Sequence, residues 1–434
     1  MSAQRVVVPL FTDPLGGLRC KVFPADRLED LIKEGYGFDG SSCYFCTVND
    51  SDLLALPDPA TRLELDGHVL FVCDIYKAGE RYELDPRLAL ERALARLAEA
   101  GLSAVSGAEM EFYLLKTSSN PAPIDPGRYM EPVLAGSTQG LLFDLVRSLE
   151  ASGLKVVFFH HEVGPGQYEV TLMKSGPKEL ADKIVLFKWV AKHRAAKNGL
   201  TATFMPKLFI DKPGNGMHIH LSLAKGGASV MGPGGKKGDG KRIFSEVGAS
   251  FLAGILAHAK ALSVLLSPTV NSYKRLMPGF EAPIFICWGM GNRSAMVRIP
   301  EHDAARGSVR IEVRSPDPSC NPYLALAGLL TAGLKGIEEG LELPEPVEEN
   351  VYELREGALE ELGIEKLPAD LGEAIEEAEK DPIIEEALGP SLARRYLALK
   401  KAEWEAYQRF LEEAGPEAAR TITAWELNEY LERA

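Results

Sequence analysis

Short apolar runs punctuated by turn residues dominate the first 90 positions of the chain. The runs are rich in Val, Leu, Ile and Phe and are bounded by Gly, Pro and Asp, which is typical of β-strands. They lie at residues 4–13, 18–25, 53–61 and 68–76. One helical pattern, at residues 26–35, interrupts them. These patterns predict a small β-rich domain with one helix.

The rest of the chain alternates longer helical patterns with strand patterns. Residues 85–101 have helical spacing, with Pro86 in the first turn and Gly101 just after the end. Helical spacing recurs at residues 139–152, 177–198, 245–268 and 321–340, and again from about residue 351. A chain of 434 residues is too long for one simple core. We therefore expect an α+β protein with two domains, at residues 1–92 and 93–434.

One predicted strand carries the wrong residues for a core strand. Residues 107–115 end in apolar positions, yet Glu109 and Glu111 stand two positions apart. Side chains alternate between the faces of a strand, so both carboxylates point the same way. Two half-buried carboxylates side by side are costly unless a positive group lies near them. Later strand-like segments repeat this feature with Glu162 and Glu169, with His218 and His220, and with Arg310, Glu312 and Arg314. The recurrence predicts one shared polar site.

The acids of these segments form a candidate metal-binding set. They are Glu109, Glu111, Glu162, Glu169 and Glu312, together with His218. Mostly oxygen donors suit hard divalent cations such as Mg²⁺ or Mn²⁺, whereas zinc favours more Cys and His. Any one glutamate alone is more often a surface acid. The hypothesis therefore depends on their occurring together.

Arginines accompany the acids along the same part of the chain. Arg275, Arg293 and Arg298 precede the pair at positions 310 and 314. They could simply form ion pairs with the glutamates. Alternatively, guanidinium groups bind phosphate and carboxylate oxygens in a bidentate way. Divalent cations and arginines on one face are typical of phosphoryl transfer.

The charge balance excludes some partners. The net charge is −14, from 62 acidic and 48 basic residues, which disfavours nucleic acid and anionic membranes. No apolar run approaches the ~20 residues of a membrane span, and the N-terminus lacks the pattern of a secretion signal. We therefore expect a cytoplasmic protein.

Two local motifs have less specific interpretations. The six cysteines are scattered and are interpreted as reduced thiols, although Cys43 and Cys46 could form a redox dithiol or half a zinc site. Residues 235–242 approximate a phosphate-binding loop, but Arg242 stands where Ser or Thr would bind magnesium. We expect an exposed loop there.

Eight segments, in order, resemble the glutamine synthetase family, specifically its bacterial and archaeal type I form. They lie at residues 38–42, 107–115, 160–170, 201–207, 214–223, 278–283, 292–300 and 310–330. The resemblance implies a small β-grasp-like N-terminal domain and a large catalytic domain with a curved antiparallel sheet flanked by helices. It also implies a homo-oligomer of two stacked hexameric rings, a dodecamer, with each active site between two subunits. The C-terminal helix at 422–434 would tie the rings together.

The resemblance further implies roles for individual residues. One metal would be bound by Glu111, Glu162 and Glu169, and a second by Glu109, His218 and Glu312. Nucleotide would be bound by His220, Ser222, Arg298 and Arg310. Substrate would be bound by Ser42, Tyr129, Gly214 and Arg275, and the catalytic residues would be Asp39, Glu281, Arg293 and Arg314. Asp39 would act on a neighbouring subunit, and Glu281 would lie in a flap over the intermediate.

The implied reaction is ATP-dependent ligation of ammonia to the γ-carboxylate of glutamate through γ-glutamyl phosphate. Three departures from the family pattern lie near the substrate end. Pro213 replaces a side chain that helps to hold the amino acid, so that Asn215 or a backbone carbonyl would have to substitute. Residues 43–46 replace a glycine-bearing segment, and Gly291 replaces an arginine. These departures leave open a γ-glutamyl-amine ligase that uses a polyamine or another amine. A non-catalytic scaffold is a third alternative, which the retained metal-ligand positions disfavour.

Overall fold

The computed structural model describes residues 5–132, 136–232, 243–301 and 308–434. The side chains of residues 136–139 and 356 are likewise left undescribed. The segment that approximates a phosphate-binding loop, residues 235–242, lies outside the described residues.

The N-terminal part is a mixed sheet with one α-helix across it, as the apolar runs predict. Its strands are β1 (Val6–Thr12), β2 (Leu18–Cys20), β3 (Phe23–Pro24), β4 (Tyr36–Asp39), β5 (Asp52–Pro57), β6 (Leu63–Leu65), β7 (His68–Lys77) and β8 (Glu80–Arg81). The main strand order is β2-β1-β7-β5-β4, and only β1 and β7 are parallel. The helix α1 (Leu28–Glu34) buries Leu31. Strand β4 ends at Asp39, on the rim of this domain.

The second sheet forms the centre of the larger part. Its strands are β9 (Ser103–Leu115), β10 (Val156–His161), β11 (Gln167–Ser175), β12 (Thr201–Thr203), β13 (Met217–Lys225), β14 (Ala228–Ser229), β15 (Trp288–Met290), β16 (Val297–Ile299) and β17 (Ile311–Val313). Within the described ranges the main order is β10-β11-β9-β13-β17-β16-β15, antiparallel except between β15 and β16. The α+β fold class is therefore confirmed.

Helices cover this sheet and bury a continuous apolar core. They are α2 (Pro86–Glu99), α3 (Gly136–Ala151), α4 (Pro177–Lys197), α5 (Glu246–Ala257), α6 (Ala259–Leu266), α7 (Ser272–Arg275), α8 (Pro322–Glu339), α9 (Glu356–Glu361), α10 (Leu371–Lys380), α11 (Ile383–Leu388), α12 (Pro390–Ala414) and α13 (Ala424–Tyr430). The continuous helix predicted at residues 245–268 is in fact two helices. They meet at 75° at His258, whose ring is hydrogen-bonded to Asp381 over 2.7 Å.

No single helix of the described segments is long and apolar enough to cross a membrane. The bent pair α5 and α6 is together long and apolar enough, a statement about length and composition only.

Arg87, in the first turn of α2, joins the N-terminal part to helix α4. It is 2% exposed, and its Nε and Nη2 each donate to Asp182 over 2.9 Å. It also donates to Asp58 over 2.7 Å and to Asp74. The carboxylates therefore come from both sides, Asp58 and Asp74 from the N-terminal sheet and Asp182 from α4. The domain boundary predicted at residue 92 falls within α2 and stays a prediction.

The C-terminal segment packs on its own chain. Thr203 donates to the carbonyl of Leu431 over 2.6 Å, and Lys192 donates to the carbonyl of Ala434 over 2.5 Å. Glu426 in α13 is completely buried. These contacts all lie within one subunit. The predicted role of the C-terminal helix in tying two rings together therefore stays a prediction.

Candidate active site

Strand register brings the polar side chains of the second sheet onto one face. His160 pairs with Glu169 across β10 and β11, and Glu169 pairs with Glu111 across β11 and β9. On the other side of β9, Glu109 pairs with His218 on β13. The row continues where His220 pairs with Glu312, which pairs with Arg298. Because paired residues on one face lie about 5 Å apart, this register alone assembles a compact polar site.

The first cluster consists of Glu109, His218 and Glu312, whose potential ligand atoms all lie within 4.8 Å of one another. Nδ1 of His218 lies 3.1 Å from Oε2 of Glu109 and 3.8 Å from Oε1 of Glu312. Nε2 of His220 lies 3.0 Å from the other oxygen of Glu109. These are the three residues that the family resemblance assigns to the second metal.

The second cluster consists of His160, Glu162 and Glu169, with the same spacing. Nε2 of His160 lies 3.0 Å from Oε1 of Glu162, and Nδ1 lies 3.8 Å from Oε1 of Glu169. Glu111, opposite Glu169, accepts a hydrogen bond from the amide of Gly216 over 2.7 Å. Sequence reasoning missed His160, although its position two residues before Glu162 was a signal for it.

Arginines neutralise part of this acidic face. Glu312 is completely buried and accepts hydrogen bonds from Arg298 on one oxygen and from Arg314, over 2.6 Å, on the other. Arg275 donates to the carbonyls of Ser315 and Arg314 over 2.9 and 3.0 Å. The ion-pair interpretation of these arginines is therefore correct for Arg298 and Arg314. Among the described residues, Nε of Arg298, Nε of Arg314 and Nδ1 of His160 are buried and have no hydrogen-bond partner, as expected where a ligand binds.

A cavity of about 570 Å³ opens over the two clusters. The predicted site residues that line it are Glu109, Glu111, Tyr129, Glu162, Glu169, Gly214, His218, Arg275, Glu281, Arg293, Arg298 and Arg314. Glu281 has a φ of +54°, a left-handed conformation that is strained for a residue other than glycine. Such strain is common at binding loops, which agrees with a flap at this position.

Three of the predicted nucleotide residues lie beside this cavity, behind Glu109. His220 contacts Glu109, and Nε of Arg310 donates to Nδ1 of His220 over 3.1 Å. Ser222, two residues farther along β13, donates to the carbonyl of Val309 over 3.3 Å. These residues therefore extend the polar face of the sheet beyond the cavity.

Asp39 and Ser42 do not line the cavity of their own chain. Both lie exposed at the end of β4, where Asp39 accepts hydrogen bonds from the hydroxyls of Ser41 and Ser42 over 2.7 and 2.6 Å. The hydrogen bonds from Ser42 and Ser41 hold the pKa of Asp39 well below its usual range. This carboxylate therefore stays ionised, which suits attraction of a cation better than uptake of a proton.

The electrostatics of the clusters fit divalent cations. Burial and the nearby Glu162 raise the pKa of Glu111 to about 8, and burial with Glu109 raises the pKa of Glu169 to about 9. Burial acts to raise the pKa of Glu312, but Arg314 outweighs it and lowers the value to about 2. Burial lowers the pKa of His218, so its imidazole is neutral and can bind a metal. A set of oxygens that repel one another, with two imidazoles, is the donor set that Mg²⁺ or Mn²⁺ would stabilise.

The departure at Pro213 leaves no free side chain in its place. Asn215 is completely buried, donates to the carbonyl of Met205 over 2.9 Å and accepts from Gln167 over 3.1 Å. Both ends of the Asn215 amide already have one partner, so binding of substrate by Asn215 stays a prediction. The carbonyl of Gly214 accepts one bond from Gln167 and keeps a second lone pair on the cavity wall.

The other departures have structural explanations. Gly291 has a φ of +63°, which favours glycine over arginine. Cys43 and Cys46 are free, partly buried thiols, and burial raises the pKa of both. These features favour packed thiols over a reactive dithiol.

A curved antiparallel sheet lined by carboxylates, imidazoles and arginines, beside a mixed N-terminal sheet, is typical of metal-dependent enzymes of phosphoryl transfer. Two family models match the chain: "Glutamine synthetase, beta-Grasp domain" over residues 4–78 and "Glutamine synthetase, catalytic domain" over residues 83–421. The chain therefore belongs to the glutamine synthetase family. As a member, it is an ATP-dependent ligase that forms a carbon–nitrogen bond.

Individual relatives agree with the family. Glutamine synthetase of Pyrococcus abyssi is 42% identical over 99% of this chain and 97% of its own length. Glutamine synthetase of Thermotoga maritima is 38% identical over 97% of this chain and 95% of its own. Among solved structures, a "GmaS/ADP complex" has a TM-score of 0.85 and 30% identity, covering 99% of this chain and 97% of that one. The family uses divalent metal ions and ATP, and its members are oligomeric.

Proposed function

We propose that this protein joins ammonia to the γ-carboxylate of L-glutamate, with ATP as the second substrate and γ-glutamyl phosphate as the intermediate. The observation that carries the proposal is the convergence of two clusters of potential metal ligands and four arginines on one cavity of about 570 Å³. A cavity of this size suits small-molecule substrates. The relatives named glutamine synthetase support the same reaction.

The two clusters would hold Mg²⁺ or Mn²⁺, two or more ions in each site. One ion would be held by Glu109, His218 and Glu312, and another by Glu111, Glu162 and Glu169 with His160 beside them. When bound, the ions would neutralise charge on the nucleotide phosphates.

In the first step, a γ-carboxylate oxygen of glutamate attacks the terminal phosphorus of ATP. The bond from that phosphorus to the ADP oxygen breaks, and γ-glutamyl phosphate forms. Arg293 and Arg314 would stabilise the charge on the transferred group, whereas Arg275 would bind the α-carboxylate of glutamate. The nucleotide would contact His220, Ser222, Arg298 and Arg310, and Gly214 would accept from the substrate amino group.

In the second step, ammonia attacks the carbonyl carbon and phosphate leaves. The intermediate needs protection from water, which the loop that carries Glu281 would provide. Ammonium would be attracted by Asp39 with Ser42 of a neighbouring subunit and by Tyr129, and loss of its proton would make it a nucleophile. The cytoplasmic location expected from the sequence is part of this proposal.

The test is turnover by the purified protein with ATP, Mg²⁺ or Mn²⁺, glutamate and ammonium. We expect equal amounts of phosphate and glutamine, and no glutamine when glutamate, ammonium or the metal is omitted. Phosphate release that needs no glutamate would contradict the proposal. A matched Glu169→Gln variant should show neither product, because it lacks one oxygen donor at the metal.

The shared active site and the ring assembly can be tested together. Asp39→Asn and Arg275→Gln should each inactivate the protein, since they remove the ammonium and carboxylate contacts. If sites form between subunits, co-assembly of the two variants regenerates intact sites and partial activity returns. Two inactive variants of the catalytic part, Arg275→Gln and Glu169→Gln, are the control and should stay inactive. The mass of the native assembly, measured by light scattering, would distinguish a hexamer from a dodecamer.

A larger amine as acceptor is the second candidate. Tyr129, Met130 and Phe158 are large apolar residues at the cavity mouth, 47%, 63% and 47% exposed. The rings of Tyr129 and Phe158 lie 5.4 and 5.8 Å from that of His160. An aromatic rim beside carboxylates can bind an alkylammonium ion. A panel of ammonium, methylammonium, ethylammonium and putrescine decides: a higher kcat/KM for an alkylamine than for ammonium supports the second candidate, and its absence rejects it.

A further inference from the structure

Glu426, in the C-terminal helix α13, is a completely buried carboxylate that the proposed reaction does not use. Its Oε1 accepts a hydrogen bond from Nδ2 of Asn271 over 2.9 Å. Its Oε2 accepts from Nζ of Lys274 over 2.6 Å and also from the hydroxyl of Thr423 over 2.8 Å. The acid thus binds residues on both sides of the start of α7. That helix ends at Arg275, whose guanidinium lines the cavity.

A second route leads from Glu426 to the flap loop. The side chain of Asn271 accepts from the amide of Lys207 over 2.6 Å and donates to its carbonyl over 2.9 Å. Lys207 is completely buried, and its Nζ lies 3.6 Å from the ring centroid of Phe280. This cation–π contact holds the ring of Phe280, the residue directly before Glu281.

We propose that Glu426 is a positioning residue for the acid-substrate end of the active site. It fixes Asn271 and Lys274, and through them it sets the position of Arg275 and the resting place of the flap loop at residues 278–283. The inference rests on the proposed function for its kinetic test, because glutamate is the acid used there.

The arrangement is more specific than packing requires. Glu426 also caps α13, because its Oε2 accepts from the amide of Thr423 over 2.9 Å in a capping box, a role that glutamine can keep. Replacing a buried ion pair with uncharged residues of similar size is often neutral or stabilising, so neither the cap nor the docking of α13 needs the charge. Within the described part of the chain, the guanidinium of Arg275 donates its hydrogen bonds to backbone carbonyls, those of Ser315 and Arg314. The Cα of Arg275 belongs to α7, which Asn271 and Lys274 link to Glu426, so the reach of the guanidinium depends on where α7 lies. A small shift there moves the contact to a substrate carboxylate.

The kinetic test compares Glu426→Gln with Glu429→Gln, a partly exposed residue of the same helix. We expect the first variant to raise the KM for glutamate by about fivefold or more while the KM for ATP stays within about twofold. Glu426→Asp, which keeps the charge, should recover part of the loss. Glu429→Gln should change neither constant. An unchanged KM for glutamate, or equal rises in both constants, would overturn the inference.

A readout that needs no turnover separates this inference from the proposed function. Release of the flap loop should speed chymotryptic cleavage after Phe280 severalfold in Glu426→Gln and leave Glu429→Gln unchanged, as measured by the masses of fragments 1–280 and 281–434. If the wild-type protein does not use glutamate, the proposed function fails, and the cleavage rates alone decide the inference. If Glu426→Gln does not fold, Lys274→Gln, which is partly exposed, takes its place in both measurements under the same criteria.

Discussion

Replacing Glu169 with glutamine should stabilise the metal-free protein and abolish its function. The native carboxyl group, with its pKa raised to about 9, holds a proton at pH 7 that the unfolded chain, with a pKa of 4.5, has released. At about 1.4 kcal/mol per pH unit, keeping that proton costs about 3 kcal/mol of the free energy of unfolding at pH 7. Glutamine carries no such cost, so Glu169→Gln should gain an amount of this order.

The sign of the pH dependence follows from the same argument. Between about pH 4.5 and 9 the native state binds more protons at this group than the unfolded state does. The stability of the metal-free wild-type protein should therefore fall as the pH rises through this range, and the variant should show a flatter profile.

The assay is urea unfolding of EDTA-treated protein from pH 5 to 8.5, followed by the same measurement with added Mg²⁺. Metal should stabilise the wild-type protein by mass action and the variant much less. Glu417→Gln, at a fully solvated acid, is the control and should match the wild type in both conditions. The reasoning is refuted if the variant is less stable than the wild type in EDTA, or if metal stabilises both equally.

Two further substitutions probe other features. Arg87→Met leaves the buried Asp182 with the hydroxyl of Tyr323 but without its ion-pair partner, and should cost about 3–5 kcal/mol in urea unfolding. Arg62→Met, at an exposed ion pair, should cost less than about 1 kcal/mol. A similar loss of stability in both variants would contradict the stabilising role of the three ion pairs that Arg87 forms. Gly216→Ala places a Cβ 2.8 Å from Nη2 of Arg275 and 2.9 Å from Nε2 of His218, so the metal needed for half-maximal turnover should rise at least about tenfold. Gly176→Ala, whose new Cβ meets no described atom within 4 Å, should leave that metal concentration unchanged. If Gly216→Ala also needs no more metal than the wild type, the cluster tolerates the methyl group.

The sequence predicts the polar face of the second sheet well, because alternation along a strand is a local property. Glu109 and Glu111, like His218 and His220, point to one face as their spacing requires. Alternation does not reveal which strands are neighbours. It therefore could not show that His160 lies across from Glu169 and joins the second cluster, a fact that depends on the register of β10 and β11.

Contacts between residues far apart in the chain could not be predicted from the sequence. The pairing of Arg87 with Asp182 joins positions 95 residues apart, and Glu426 meets Asn271 across 155 residues. No local pattern marks either contact. The break at His258 was missed for a related reason, since the apolar spacing continues through it while the partner of its ring, Asp381, lies far along the chain.

The two arginines on Glu312 have a thermodynamic consequence. Arg298 and Arg314 each donate to one oxygen of this carboxylate, so the same group would be shared by the guanidinium groups and a bound cation. Phosphates that draw these arginines away would leave the negative charge of Glu312 uncompensated and so tighten cation binding. Linkage then requires reciprocity: the factor by which nucleotide strengthens cation binding must equal the factor by which cation strengthens nucleotide binding. Measuring either affinity with and without the other ligand would thus yield a single coupling energy for the site.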